Sequence, residues 1–136
     1  MNSAFLVVDT NVFVSANLIV NSISSRAFDK AFTAYRLALS EGVLAEYAEV
    51  LYRKKLDKYL TNTRRETLLR SLEKNAVFFN PVETIDACRD QKDNLFLELA
   101  VACEARCILS GDSDLLVLNP FRQIPIVTSS EFLELF

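Results

Sequence analysis

The chain has 136 residues, of which 51% are hydrophobic and 24% are charged, and its formal charge is −3. These values predict one globular domain over residues 1–136 with a substantial core. No apolar run reaches the roughly 18 residues that span a bilayer and no signal-peptide pattern is present, so we expect a cytoplasmic protein that does not bind membranes. The chain contains no histidine, which excludes Ser-His-Asp and Cys-His catalysis and histidine-ligated zinc.

Predicted strands alternate with predicted helices along the whole chain. The strands cover residues 5–8, 35–39, 76–79, 107–110 and 124–127, and the helices cover 24–33, 42–52, 63–74, 93–104 and 129–136. Residues 12–16 are expected to form a loop or a short helix, the basic residues after 52 to continue as helix, and residues 86–93 to form a loop. Right-handed crossovers turn this order into an α/β fold, a three-layer α/β/α sandwich around a parallel sheet of about five strands. The predicted N-caps are Ser24 or Ser25, Thr63, Asp93 or Asn94, and Ser129 or Ser130.

Acidic residues follow the strands at positions that a parallel sheet brings to one edge. Asp9 ends the first strand, Asp112 and Asp114 follow the fourth, and Glu46 lies early in the helix after the second. Asp93 opens the helix before the fourth strand, so a loop has to carry it to the same edge. Carboxylates this close cannot all ionise unless a cation compensates them. Oxygen ligands without imidazole or paired thiolates favour one or two Mg²⁺ or Mn²⁺ ions, which can activate water for phosphodiester cleavage.

Each acid also has an ordinary structural interpretation. Asp93 or Asp114 taken singly is a good helix N-cap, and Glu46 taken singly is a solvent-facing helical acid. Short polar side chains nearby would orient the carboxylates, namely Thr10, Asn11, Asn94 and Ser110. The three cysteines, Cys88, Cys103 and Cys107, form no disulfide framework and lack the partners of a zinc site, so we expect them to be buried packing residues.

Basic residues are concentrated in one segment of this acidic chain. Residues 53–70 hold seven cations and two acids, a local charge of +5 that leaves −8 for the remainder. The segment is either a surface for a phosphate backbone or a solvated helical hairpin. The residues that would contact nucleic acid are Arg53, Lys54, Lys55, Lys58, Arg64 and Arg65.

Four stretches, in this order, resemble the successive motifs of the PIN-domain nucleases: Val8–Ala16, Ser40–Leu51, Asp90–Ala100 and Leu109–Leu116. The chain is most similar to bacterial PIN proteins described as toxin components of toxin–antitoxin pairs. The resemblance implies Mg²⁺- or Mn²⁺-dependent cleavage of RNA, with Asp9, Glu46, Asp93 and Asp112 as the catalytic and metal-holding quartet. It also implies an auxiliary role for Asp114, an orienting role for Thr10, and structural hydrogen bonding by Asn11 and Asn94. Lys92 departs from the family pattern, which more often has an acid there.

The resemblance further implies a cognate antitoxin partner, a homodimer, and products with 5′-phosphate and 3′-hydroxyl ends. Two other functions fit the same fold: a non-catalytic binding or scaffold module, and a housekeeping RNA-processing nuclease. A haloacid-dehalogenase-like phosphatase is a weaker alternative, because such enzymes carry a second acid two residues after the first, where this chain has Asn11.

Overall fold

The computed structural model describes residues 4–136 and contains five short strands that alternate with helices. The strands are β1 (Phe5–Val8), β2 (Arg36–Leu39), β3 (Val77–Phe78), β4 (Cys107–Leu109) and β5 (Ile126–Val127). The helices are α1 (Thr10–Leu18), α2 (Ile23–Ala34), α3 (Glu41–Leu51), α4 (Asn62–Asn75), α5 (Asn94–Cys103), α6 (Ser113–Leu116) and α7 (Ser129–Leu135), and short 3₁₀ turns form at Lys54–Leu56 and Gln91–Asp93.

The strands form one parallel sheet in the order β3-β2-β1-β4-β5, so the predicted α/β architecture is confirmed. Strand β1 lies at the centre, with Val8 paired to Leu109 of β4 and Leu6 paired to Leu37 of β2. The strand order reverses between β1 and β4. In open parallel sheets, the crevice beyond the strand ends at such a reversal is where ligands bind.

Helices cover both faces of this sheet. Helix α2 packs on β2 and against α1 and α7, whereas α5 packs on β1 and β2. Because crossovers are right-handed, the return from β3 to β4 carries α5 to the face opposite α2. The central strand is therefore enclosed, and Leu6, Val7 and Val8 have no solvent exposure. Because both faces of β1 are buried, its sequence is an unbroken run of apolar residues.

The N-caps of α2, α4 and α7 lie one to three residues before the predicted ones. Residues 10–18 form a helix of nine residues, the second of the two predicted alternatives, and α2 begins after Ser22, whose Oγ accepts the N–H of Ser25. Thr61 caps α4 and Thr128 caps α7, instead of Thr63 and the serines at 129 and 130. Several neighbouring residues have capping side chains, and the extended backbone that a cap also needs is set by packing.

The basic segment does not continue as helix after α3, and that prediction is wrong. Helix α3 ends at Leu51, and residues 52–61 form a turn that includes the 3₁₀ turn Lys54–Leu56 before α4 begins. Leu56 and Leu60 are buried on the inner side of this turn. Two apolar anchors spaced in this way tie the turn to the core, which a straight extension of α3 would not allow.

The cysteines agree with the prediction. All three are free and buried, and burial raises the pKa of Cys103 and of Cys107 to about 12. They are therefore unreactive packing residues. Within residues 4–136, no helix combines the length and the apolar character needed to cross a lipid bilayer.

Candidate active site

A polar cleft opens beyond the carboxyl ends of β1 and β4, at the point where the strand order reverses. The four acids of the predicted quartet all line it, although they come from four separate parts of the chain. Its walls come from the residue after β1, from α1, from α3 and the turn after it, from the loop before α5 and α5 itself, and from the loop after β4. The lining consists of Asp9, Thr10, Asn11, Glu46, Val50, Arg53, Asp90, Lys92, Asp93, Phe96 and Asp112.

Asp9 is held in one orientation at the base of the cleft. Its Oδ1 accepts the N–H of Val12 at 2.9 Å, which makes it the N-cap of α1. Its Oδ2 accepts the hydroxyl of Ser110 and the N–H of Gly111. Burial raises the pKa of Asp9 above its usual range and the charge of Asp112 adds to this, while these three hydrogen bonds oppose it. Because Oδ1 accepts only one of these hydrogen bonds, it keeps a second lone pair, so the capped acid can still bind a cation.

Glu46 enters from α3, which Ser40 caps by accepting the N–H of Val43. The hydroxyl of Thr10 donates to Glu46 Oε2 at 2.7 Å and so joins the residue after Asp9 to this second acid. Tyr47, the next residue along α3, is completely buried and donates to the carbonyl oxygen of Val8. Because Tyr47 fixes α3 against the end of β1, Glu46 is directed into the cleft.

Asp93 is a buried acid of the cleft with too few hydrogen-bond donors among the described residues to stabilise its negative charge. Only 9% of the residue is exposed, and its Oδ2 has no hydrogen-bond donor among residues 4–136. Burial raises the pKa of Asp93 to about 7, and the neighbouring carboxyl of Asp112 and the charges of Asp90 and Asp9 contribute. A buried carboxylate oxygen without a partner is costly, which indicates that a cation or a proton completes this position.

Asp112 and Asp114 lie beside Asp93. One carboxylate oxygen from each of the three acids can be chosen so that all lie within 4.8 Å of one another. Asp112 also caps the short helix α6 by accepting the N–H of Asp114. The geometry therefore places Asp114, predicted as auxiliary, in the tightest acidic cluster, while Asp9 and Glu46 line the rest of the cleft. An orphaned buried oxygen among carboxylates fits a hard divalent cation such as Mg²⁺ or Mn²⁺.

The predicted supporting residues have different positions. Thr10 and the exposed Asn11 line the cleft, and Ser110 lies fully buried behind Asp9. Asn94 is buried away from the cleft lining, where its Oδ1 accepts the N–H groups of Ala87 and Cys88. Asn94 therefore ties the loop before α5 to that helix, and this loop carries Asp90 and Asp93.

The six basic residues predicted to contact nucleic acid do not form one surface. Arg53 lines the cleft and pairs with Glu49, while the lysines of the group are exposed in the turn after α3. Arg64 lies at a different groove, beside Phe28 and Leu68. Arg65 is only 3% exposed and donates inward, so its predicted contact with nucleic acid is wrong. Nothing in the sequence pattern separates Arg65 from Arg64, and only packing assigns one of them to the interior.

Two further cations at the cleft were not among the predicted site residues. Lys92 lines the cleft directly, and Arg89 lies beside it, with its Nε 3.2 Å from Asp114 Oδ1 and most of its side chain exposed. Both belong to the segment that carries Asp90 and Asp93. A cation inside an otherwise acidic motif was the sequence signal available for finding them.

Comparisons with known proteins agree with this geometry. A family model described as PIN domain matches residues 6–114. The chain is similar to the uncharacterized protein MJ1680 of Methanocaldococcus jannaschii, with 33% identity over 141 residues that cover 96% of this chain and 90% of the relative. Its fold is similar to a chain in the crystal structure of VapBC2 from Rickettsia felis bound to a DNA fragment from their promoter, with a TM-score of 0.60 at 13% identity over 91% of this chain and 98% of the other. The family match covers most of the chain, and the protein therefore belongs to the PIN domain family.

Proposed function

We propose that this protein is a ribonuclease that depends on Mg²⁺ or Mn²⁺ and hydrolyses phosphodiester bonds in RNA. The observation that carries the proposal is the convergence of five acids on the lining of one cleft at the strand-order reversal, with Asp114 beside them and the buried Oδ2 of Asp93 unpartnered among the described residues. A scaffold has no reason to hold carboxylates so close together. Membership of the PIN domain family, a family of nucleases, supports the same function.

The residues of the proposed site have two roles, which are to hold metal ions and to orient the acids that hold them. Asp9, Glu46, Asp93 and Asp112 would hold one or two divalent ions, with Asp114 as a further acid beside Asp93 and Asp112. Ions held there would lower the pKa of water and offset the charge that develops on the leaving oxygen. Thr10 and Ser110 orient two of the acids through their hydroxyl groups.

Cations at the cleft would hold the substrate. Arg53 and Lys92 line the cleft, and Arg89 lies at its acidic cluster. Contacts of this kind to phosphate oxygens position a nucleic acid without reading its sequence. Replacing one of them by alanine is therefore expected to weaken binding about equally for RNAs of different sequence.

The test is metal-dependent cleavage of a labelled RNA pool by Asp9→Asn and wild-type protein. We expect the substitution to lower the rate more than about 100-fold, because losing a residue that merely supports a metal ligand already costs 10- to 100-fold. Glu73→Gln, which neutralises an exposed acid on α4, is the matched control and is expected to cleave as the wild type does. Equal cleavage by Asp9→Asn and wild type, or cleavage that survives a chelator, would contradict the proposal.

We propose further that the protein is the toxin of a toxin–antitoxin pair and forms a homodimer. The fold similarity to VapBC2 supports an antitoxin partner. Growth arrest on expression of the wild type, but not of Asp9→Asn, would distinguish a toxin from a housekeeping nuclease. Sequencing the ends of the RNA fragments would identify the cleavage site and check for 5′-phosphate and 3′-hydroxyl products.

A further inference from the structure

The turn that follows α3 presents aromatic rings and cations together. Tyr52 is 46% exposed and Tyr59 is 60% exposed, and the exposed cations Lys54, Lys55 and Lys58 lie between them in the sequence. Within residues 4–136, none of these three lysines forms an ion pair with a carboxylate. A single exposed tyrosine needs no explanation, but two of them in a turn of unpaired cations form a surface of distinct character.

This turn is built from the inside. Leu56 and Leu60 are buried beneath it, and the buried side chain of Arg65 contacts the turn from the interior of the protein. Arg65 donates to the carbonyl oxygen of Leu51 at 2.6 Å and to Asp57 at 3.0 Å, which neutralises the one acid of the turn. Asp57 is exposed but paired, so the unpaired charge of the turn is positive, on a backbone that packing and hydrogen bonds hold in place.

Each exposed ring has a cation on one face. The guanidinium carbon of Arg65 lies 5.4 Å from the centre of the Tyr52 ring, and Lys58 Nζ lies 5.2 Å from the centre of the Tyr59 ring. Both tyrosines stay about half exposed beside their cations, so a flat partner can reach the rings. Aromatic faces beside cations bind unpaired bases by stacking while the cations contact the phosphates.

The turn is continuous with the cleft. Glu46, Val50 and Arg53 follow one side of α3 from the acids outwards, and all three line the cleft. Arg53 is the sequence neighbour of Tyr52, so the turn begins at the residue where the lining of the cleft ends. The net charge of the whole chain is −3, so this turn is a local attraction for a polyanion rather than part of a uniformly basic surface.

From these observations we infer that residues 52–59 form a stacking platform for single-stranded RNA, in which Tyr52 and Tyr59 bind unpaired bases next to the cleaved phosphate. The inference rests on the proposed nuclease function and adds to it the surface of this chain that binds the unpaired bases of the substrate. Duplex RNA keeps its bases stacked internally and cannot offer them to the rings. The platform therefore selects single strands over duplexes with little dependence on base sequence.

The test is fluorescence anisotropy of full-length protein with labelled oligonucleotides in a chelator, so that binding is measured without cleavage. The probes are a single-stranded RNA of mixed sequence and the same strand in a perfect duplex. The double variant Tyr52→Ala/Tyr59→Ala is expected to lose roughly fivefold or more in single-strand affinity per ring and to bind the duplex unchanged. Tyr52→Phe/Tyr59→Phe keeps both aromatic faces and is expected to restore single-strand binding. Phe78→Ala, which removes an exposed ring from the edge strand β3, is the matched control and is expected to change neither affinity.

The salt dependence separates stacking from charge. Lys54→Ala/Lys55→Ala/Lys58→Ala is expected to reduce the slope of log affinity against log salt by about 2, at about 0.7 per phosphate contact on a single strand. The double tyrosine variant is expected to leave this slope unchanged. A double tyrosine variant that folds normally, as judged by its melting temperature, and binds single strands like the wild type would overturn the inference and leave a protein partner as the occupant of the turn.

Failure of the platform and failure of the nuclease give different results. A protein that binds single strands through the two rings but cuts no RNA would refute the nuclease and keep the platform. A double tyrosine variant that cuts single-stranded RNA with an unchanged KM would refute the platform and keep the nuclease.

Discussion

At the level of single residues, the cleft concentrates groups whose charged form is unfavourable. Asp9 and Asp93 both have a raised pKa, and burial is the largest cause for each. They differ in how far hydrogen bonds offset the cost of burying the negative charge. Both oxygens of Asp9 accept hydrogen bonds, whereas Oδ2 of Asp93 accepts none from the described residues. The metal-free protein can lower the cost at Asp93 by keeping it protonated, and a bound divalent ion would remove the need for that proton.

The raised pKa of Asp93 predicts that the metal-free protein loses stability as the pH rises. An unfolded aspartate releases its proton near pH 4, whereas Asp93 in the folded protein keeps it to about pH 7. Between these values the folded state binds more protons than the unfolded state, so the free energy of unfolding decreases as the pH increases. The contribution is complete below about pH 4 and is lost as the pH passes 7.

Melting temperatures measured in a chelator between pH 4 and pH 8 check this prediction. Asp93→Asn, which cannot ionise, is expected to show a shallower decline than the wild type. Asp86→Asn changes an exposed acid in the same loop and serves as the control. Identical pH profiles for Asp93→Asn and the wild type would show that Asp93 is already ionised at low pH.

At the level of elements, the site depends on a helix and a turn being held against the sheet. Tyr47 joins α3 to the last carbonyl of β1, and its ring stacks on Phe13 of α1 at a centroid distance of 4.4 Å. Arg65 of α4 joins that helix to the end of α3 through the carbonyl of Leu51. These two side chains hold α3 in place at its middle and at its end. Glu46 therefore faces the cleft, and Arg53, two residues after the helix, lines it as well.

Replacing Arg65 tests how much its hydrogen bonds to Leu51 and Asp57 stabilise the turn after α3. Arg65→Ala leaves the carbonyl of Leu51 without its donor and removes the partner of Asp57, and we expect the free energy of unfolding to fall by about 2–4 kcal/mol. Arg65→Lys is not expected to recover this loss, since one ammonium group cannot reproduce the separate directions of the guanidinium donors. Urea unfolding measures the effect. Arg70→Ala, an exposed arginine on the same helix, should change stability by less than about 0.5 kcal/mol, and a similar loss in both variants would argue against a special role for Arg65.

Replacing Tyr47 tests how much its hydrogen bond to Val8 stabilises the position of α3, the helix that carries Glu46. Tyr47→Phe keeps the stacked ring but deprives the buried carbonyl of Val8 of its donor, which is expected to cost about 1–3 kcal/mol. Thermal or urea unfolding measures this cost. Phe13→Leu perturbs the same aromatic pair without touching the hydrogen bond, so it separates ring packing from the hydrogen bond. A Tyr47→Phe variant as stable as the wild type would mean that Val8 finds another donor.

At the level of the whole molecule, the sheet order determines where the charges meet. Strand β1 has β2 on one side and β4 on the other, so the chain that follows β1 and the chain that follows β4 diverge from a common crevice. Asp9 and Asp112 occupy the two sides of this crevice, and the loop after β3 brings Asp93 to it from 84 residues beyond Asp9. The result is a concentrated negative charge in a chain of modest net charge.

This concentration predicts that divalent ions stabilise the fold. Mg²⁺ or Mn²⁺ that binds the folded state only is expected to raise the melting temperature, by about 2.7 kcal/mol of free energy at one hundred times the dissociation constant. The shift is measured by thermal unfolding across a metal titration, with NaCl of equal ionic strength as the control. Asp112→Asn is expected to weaken the shift strongly, while Glu73→Gln is expected to leave it intact. A melting temperature that does not respond to either metal would contradict a metal site in this cleft.

Much of the architecture could be predicted from the sequence because its signals are local. Buried strands such as Phe5–Val8 are continuous apolar runs, and helical periodicity marks α3 and α5. The ends of elements were predicted less well, since Thr61 and Thr63 are equally good caps until the turn before them has packed. The same limit explains the basic segment, in which buried Leu56 and Leu60 end a helix that the charges alone would continue.

The sequence by itself determined the class of fold and the exclusion of histidine chemistry, since these depend on residue type and on periodicities within single elements. The quartet of acids was what the resemblance to the PIN family implied. Only the tertiary structure decided that Asp114 joins Asp93 and Asp112, that Lys92 lines the cleft with Arg89 beside it, and that Arg65 lies inside the protein. The physical reason is that the environment of an ionisable side chain is made by residues far away in the chain. Burial and the nearest charge set its role, and neither is present until the strands have assembled.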